Sequence, residues 1–250
     1  KNIIEDYAFI AMLSGLIGGR LYYVIFTFKE NYLGSPFWKI FAVWEGGMAI
    51  HGGIIGGIIG TIVFARIKKI KILDLMDMGA IVILLGQAIG RIGNLMNGEV
   101  HGVPVITPWK IIFSNGKFSK WWETYLQLPI SEQSLFTEKV PWGIKFLLNT
   151  PAGYEFPNYK LHPAMMYESI LNLIGFFVLI YIFYKWKDIK KGYITALYLI
   201  IYSIIRIFVS FFRAEDIMLY NLRLPHVMGV ITIIFSIIMI LFINKKGKTV

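Results

Sequence analysis

The 250-residue chain has no cysteine. That excludes disulfides, thiolate metal sites and a thiol nucleophile supplied by the protein. Any thiol chemistry here must use a thiol brought by the substrate. Charge is scarce too: 16% of residues are charged, against about 25% in an average soluble domain. Acids are the scarcer sign, 15 against 25 Lys and Arg, for a net charge of +10. No nucleic-acid-binding motif accompanies that charge, so nucleic acid is not an expected partner. The chain starts at Lys1 and shows no signal-peptide pattern.

Apolar sequence is abundant. Hydrophobic residues make up 56% of the chain and the mean hydropathy is +0.63. Several stretches are apolar all round, which a soluble domain of this size could not solvate. Six spans are expected, roughly residues 7–28, 41–66, 74–97, 163–184, 193–213 and 224–243. The fold class is therefore an all-α polytopic transmembrane bundle, with an extracytoplasmic insertion between spans three and four. Its parts are residues 1–97, 98–162 and 163–250. Lysines orient it: Lys68, Lys69 and Lys71 follow the second span, Lys185, Lys187, Lys190 and Lys191 the fourth, and Lys245, Lys246 and Lys248 the sixth. By parity these lie on one side, which the positive-inside rule makes cytoplasmic. The insertion carries Trp109, Trp121, Trp122 and Trp142 with Phe113, Phe118 and Tyr125. These aromatics suit a lid at headgroup level, or equally a small extramembrane domain.

The informative residues are polar ones inside or at the edge of spans, where a charge costs roughly 2.5–3.5 kcal/mol. Arg20, Glu45, His51, Gln87, Arg91, Asn94, Glu168 and Arg206 are of this kind. The topology puts most of them in the outer half, with His51 about 15 Å into its span. Arginines at one depth need anions. Glu45 and Glu168 could pair two of them internally. The functional reading is a phosphate, whose oxygens match the planar guanidinium fork. In an outer leaflet, the abundant phosphate is a lipid headgroup. Around His51, the run Gly46-Gly47-Met48-Ala49-Ile50-His51-Gly52-Gly53 continues into Gly56, Gly57 and Gly60, a face for close helix approach. In Gly90 to Gly102, Arg91, Asn94 and Asn97 recur at i, i+3 and i+6, before glycines that unwind the helix end. Those glycines also read as a plain C-terminal cap.

Together these stretches resemble the prolipoprotein diacylglyceryl transferase family. Gly90–Gly102 is similar to its Gly-Arg-x-Gly-Asn-x-x-Asn-Gly-Glu-x-x-Gly signature, and Gly46–Gly53 to its Gly-Gly-Met-x-x-His-Gly-Gly stretch. His162–Glu168 resembles its His-Pro-x-x-x-Tyr-Glu motif, and Tyr202–Asp216 its last arginine-bearing segment. The motifs run in family order along nearly the whole chain. The resemblance implies transfer of a diacylglyceryl group from phosphatidylglycerol to the lipobox cysteine of a prolipoprotein, forming a thioether and releasing glycerol phosphate. It implies location in a bacterial cytoplasmic membrane with the site toward the outer leaflet, in contact with membrane lipids. His51, Arg91 and Arg206 are the expected catalytic residues. Arg20, Asn94, Asn97, Glu99, Gly102, Tyr167 and Glu168 are expected to bind substrate. No cofactor is implied, and no ligand cluster has metal-site spacing.

Two departures stand out. The family's seven spans are six here, as though the first were absent. Ser210 stands where the family has a glutamate, four residues after Arg206. That substitution motivates a rival reading, a weak or inactive lipid-binding paralogue. A small-anion transporter is a further alternative, motivated by the glycine-broken spans.

Overall fold

A computed structural model describes residues 2–186, 188–215, 217–220 and 222–246. Lys187 and Lys248 of the basic clusters, and Asp216 of the last arginine-bearing segment, lie outside them. The long helices are α1 (Asn2–Phe26), α2 (Ile50–Lys68) and α3 (Ile72–Asn97). Four short helices follow: α4 (Trp109–Ile112), α5 (Phe118–Leu126), α6 (Ile130–Gln133) and α7 (Pro151–Glu155). Then come α8 (Ala164–Lys185), α9 (Tyr193–Ser210), a two-stranded ribbon of β1 (Met218–Leu219) and β2 (Leu222–Arg223), and α10 (Leu224–Lys246). Among the described residues, six helices are long and apolar enough to cross a membrane: α1, α2, α3, α8, α9 and α10. Only 11% of the apolar window of α10 is buried among the described residues. The chain is an all-α, multi-pass membrane protein.

Lys1–Met76 and Asp77–Val250 form two compact units. In the first, α1 and α2 pack through glycines. A Cβ on Gly52 would lie 2.3 Å from the Gly18 carbonyl oxygen, and one on Gly56 2.2 Å from that of Ser14. Backbones this close exclude any side chain, the small-residue logic of membrane helix pairs. Gly52, Gly56 and Gly60 are the buried members of the repeat. Tyr7 and Thr61 meet through their hydroxyls, 3.3 Å apart, at the other end of the pair.

The second span begins later than its hydropathy suggests. Residues 41–49 are not α-helical: Phe37–Phe41 and Val43–Glu45 are 3-10 turns, and Gly46 and Gly47 have φ of +83° and +77°. Left-handed backbone cannot enter a helix. At Gly47 a Cβ would also meet the Tyr23 ring at 2.5 Å and the Arg20 Nη1 at 2.8 Å. Two expectations are thereby corrected. His51 lies in the first turn of α2, not ten residues into it. Glu45 sits in an exposed turn ahead of the helix. The fifth span also ends earlier than 213. α9 stops at Ser210, and Arg213, inside the expected span, instead pairs with Gly102 in an isolated antiparallel bridge.

In the second unit, Ala80, Ile81 and Leu84 of α3 pack with Leu179 of α8 and Ile194 of α9. The start of α9 follows Gly192, which offers no side chain to cap its first amides. Asp77 of α3 does so from outside. Its carboxylate accepts from the Gly192 N–H (2.7 Å), the Thr195 N–H (2.8 Å) and the Thr195 hydroxyl (2.7 Å), all buried. Asp77→Ala orphans these donors. A loss of about 2–4 kcal/mol is expected, read as a drop in thermal unfolding midpoint in detergent. An unchanged midpoint would remove this cap from the account.

The insertion builds a core of its own. Phe118, Trp121, Trp122, Tyr125, Phe156 and Tyr159 stack on one another, with Trp122 5.3 Å from Phe156 and 4.9 Å from Tyr159 between ring centroids. That core is continuous with Ala164 of α8 and with Ile205, Val209 and Phe212 at the end of α9. The insertion is therefore fixed onto the helix ends that carry the motif residues.

Candidate active site

α3 ends in a turn that its sequence specifies. Gly98 has φ +66°, its N–H bonds to the Leu95 carbonyl (3.3 Å), and the Glu99 N–H reaches back to the Asn94 carbonyl (2.9 Å). This is the paired closure of a Schellman cap. It returns Glu99 over the last turn of its own helix, where Glu99 Oε2 accepts from the Asn94 side-chain amide at 3.2 Å. Asn94 Oδ1 accepts from Arg91 Nη1 at 3.1 Å, and Arg91 Nη2 donates to Glu168 Oε1 of α8 at 2.7 Å. Four of the expected residues thus form one chain: Glu99, Asn94, Arg91, Glu168. Glu168 is 1% exposed and Arg91 22%. A charge-assisted bond so placed holds the guanidinium plane fixed while leaving it reachable. The guanidinium carries more N–H groups than these two bonds use.

The turn continues into a tightly fitted backbone. The Gly102 N–H donates to the His162 carbonyl (3.1 Å), and a Cβ there would lie 2.3 Å from that oxygen and 2.8 Å from the Phe212 carbonyl oxygen. Glycine is required because two other chain segments close over it. His101 is buried beside it, with Nε2 2.8 Å from Glu155 Oε2. Asn97 is exposed at the helix end.

Tyr167 precedes Glu168 on α8. Its hydroxyl accepts from Trp142 Nε1 (2.8 Å) and lies 3.1 Å from His162 Nδ1. His162 is fully buried, and burial pushes its imidazole down from 6.5 to about 4. The unfolded chain therefore binds a proton near pH 6.5 that the folded chain refuses until about 4. Stability is unaffected at pH 7 and above, and falls as pH drops from 6.5 toward 4. Melting curves between pH 7.5 and 5 are expected to show that fall, and His162→Gln to flatten it. A midpoint independent of pH in this window would contradict a buried neutral His162.

Arg206 lies on α9, one turn after Tyr202. The Tyr202 hydroxyl is in the electrostatic field of Glu168, Arg206, Arg91 and Arg213. That brings Arg206 into the same neighbourhood as the Arg91–Glu168 pair. Ser210 is fully buried, and its carbonyl accepts from Arg223 Nη1, a buried cation contributed by β2. The residues expected from the other unit behave differently. Arg20 is 6% exposed, and its guanidinium donates to carbonyls of the loop before α2: Ile40 (2.7 Å, from Nε), Gly46 and Gly47 (2.5 and 3.0 Å, from Nη1) and Lys39 (2.7 Å, from Nη2). It holds the backbone that leads to His51. His51 itself is exposed, its ring centroid 6.1 Å from that of Tyr22.

Sequence reasoning gave no role to Asp77, His101 or Arg223, and it named His162 and Tyr202 only as the first residues of motif stretches. The first is an acid in an otherwise apolar run, a signal that was present. Arg223 sits in the short strand β2, just ahead of the expected sixth span, where a cation is unremarkable in sequence.

Six membrane-length apolar helices, with a guanidinium held at the end of one of them by a buried carboxylate, define a polytopic membrane protein with a fixed, partly exposed cation at a helix end. A family model for prolipoprotein diacylglyceryl transferase matches residues 1–242, and the chain belongs to that family. It is 56% identical over 246 residues to the phosphatidylglycerol–prolipoprotein diacylglyceryl transferase of Fusobacterium nucleatum, covering 98% of this chain and 85% of that one. The proteins of the same name from Oceanobacillus iheyensis and Gloeobacter violaceus are 33% and 30% identical, each over 98% of this chain and over 75% and 79% of their own lengths.

Proposed function

We propose that this chain moves the diacylglyceryl group of phosphatidylglycerol onto the cysteine thiol of a prolipoprotein, from the outer leaflet of a bacterial cytoplasmic membrane. The bond between the glyceryl carbon and the phosphate oxygen breaks, a carbon–sulfur bond forms, and glycerol phosphate leaves. The observation that carries this reading is Arg91, held in plane by Glu168 and Asn94 on the signature turn. Charge grows on the phosphate as it departs, and a fixed guanidinium stabilises it without reorganising. Arg206 is assigned the same phosphate. The thiolate is the competent nucleophile, so a base must take the thiol proton. We assign that role to His51 by its residue type and its glycine-rich setting. Asn94, Asn97, Glu99, Gly102, Tyr167 and Glu168 bind or position substrate. Arg20 serves through the loop it clamps rather than through the lipid.

The test is purified protein in vesicles with a lipobox peptide. Thioether product is expected with phosphatidylglycerol and not with phosphatidylethanolamine. Product from neither lipid would contradict the assignment. Ser210 gives a finer test. Ser210→Glu adds a carboxylate one turn from Arg206 and is expected to raise activity or melting temperature. A loss of both would show that another group has taken over the role of an acid at this position.

A further inference from the structure

The turn that closes α3 is not held by its own residues alone. Between Glu99 and His101, Val100 has φ +58°, a left-handed conformation that a β-branched side chain resists. Such a residue keeps its conformation only where the surroundings over-determine it. The surroundings here are α7, in the insertion. Pro151 presets the first turn of that helix, and the Thr150 hydroxyl accepts from the Gly153 N–H at 3.2 Å. The Ala152 N–H donates to the Gly98 carbonyl at 3.0 Å. At the other end of α7, Glu155 Oε2 accepts from His101 Nε2 at 2.8 Å. His101 is 5% exposed and its Nδ1 is buried without a partner, so among the described residues Glu155 is the ring's one polar tie. The ring also meets Phe156 edge-on, 5.6 Å between centroids, and Phe156 belongs to the aromatic core of the insertion. Bonds to α7 therefore flank the strained residue on both sides.

We propose that Glu155 is a positioning residue for the reaction: through His101 it keeps this turn closed, so that Glu99 stays on Asn94 and the Arg91 guanidinium keeps its plane. The proposal rests on the transferase reading above. The path runs from Glu155 to His101, along the turn to Glu99, and by Asn94 to Arg91. Each link is a side-chain hydrogen bond or the strained backbone between them. Misplacing a fixed group by about 1 Å can cost about 10²-fold in rate, so a loosened turn reads as lost turnover before it reads as lost binding. Glu155 is partly exposed, with its side chain 36% accessible, so water receives whatever the substitution uncovers there. The Ala152–Gly98 bond is main chain and survives any change of the Glu155 side chain.

The test measures kcat and KM of the full chain in phosphatidylglycerol vesicles with a lipobox peptide, beside the melting temperature. Glu155→Ala is expected to lower kcat about 10–100-fold while the KM for peptide and the melting temperature change little. Glu155→Gln, which keeps an acceptor, is expected to recover most of that kcat. His101→Phe breaks the same bond from its other end, keeps a ring against Phe156, and is expected to match Glu155→Ala. Glu155→Ala added to Glu99→Ala is expected to leave kcat no lower than Glu99→Ala alone, since both act on one path. Turnover of Glu155→Ala within about twofold of wild type overturns the proposal, whatever its melting temperature. So does a loss that glutamine does not recover, or one that multiplies with the loss from Glu99→Ala. Each of these results leaves the transferase reading standing. Absence of thioether from the wild-type chain overturns that reading, and the proposal with it.

Discussion

Arg91→Lys is expected to reduce turnover by about 10²–10³-fold, the usual cost of losing one fixed donor to a developing anion. Lysine keeps the charge and can still reach Glu168, so the buried carboxylate stays compensated and the helix pair holds. What it loses is the plane. In the wild-type chain Nη1 is committed to Asn94 and Nη2 to Glu168, which fixes where the remaining N–H groups point. An ammonium has no such fork and cannot hold a phosphate in one orientation. The variant therefore separates geometry from charge. Lipid binding should weaken less than kcat falls. Near-normal activity of a folded Arg91→Lys protein would remove the phosphate-clamp role.

For His51→Gln the expected loss is about 10²–10⁴-fold in kcat, the range for removing a general base. The structure makes this loss separable from unfolding. His51 is exposed in the first turn of α2, and its ring only approaches Tyr22. The tight α1–α2 contact is made instead by Gly18, Gly52, Gly56 and Ser14, which the substitution leaves alone. The melting temperature should hardly move. Turnover within a few-fold of wild type would make His51 structural and place the base elsewhere.

Much of this was readable in the residues because the membrane makes polarity conspicuous. Arg91, Asn94 and Glu168 stand out as charges and amides in apolar runs, and the structure joins them. The glycine repeat at 52, 56 and 60 is legible for the same reason: only close backbone contact explains so much glycine in a span. Hydropathy failed where backbone conformation decides. Residues 41–49 are apolar enough to read as helix, but consecutive left-handed glycines forbid it, and the whole entry to α2 is instead tied down by Arg20. The partner of Arg20 was unreadable because it is main-chain carbonyl, which carries no sequence signature. Asn97 was grouped with Arg91 and Asn94 by spacing, yet three residues on it has rotated to an exposed face of the same helix end. Arg213 falls inside the expected fifth span but forms a strand-like bridge to Gly102, a pairing between segments over a hundred residues apart that hydropathy cannot report.

The central claim is that bond breaking at the lipid phosphate and bond making at the substrate thiol are one reaction. The most direct measurement quantifies both products in the same vial: diacylglyceryl thioether on the peptide by mass spectrometry, and glycerol phosphate released from phosphatidylglycerol. The account predicts equal amounts at every time point, and neither product when the peptide cysteine is replaced by serine. Glycerol phosphate released in excess, or without the peptide thiol, would contradict it and show a lipid hydrolase in place of a transferase.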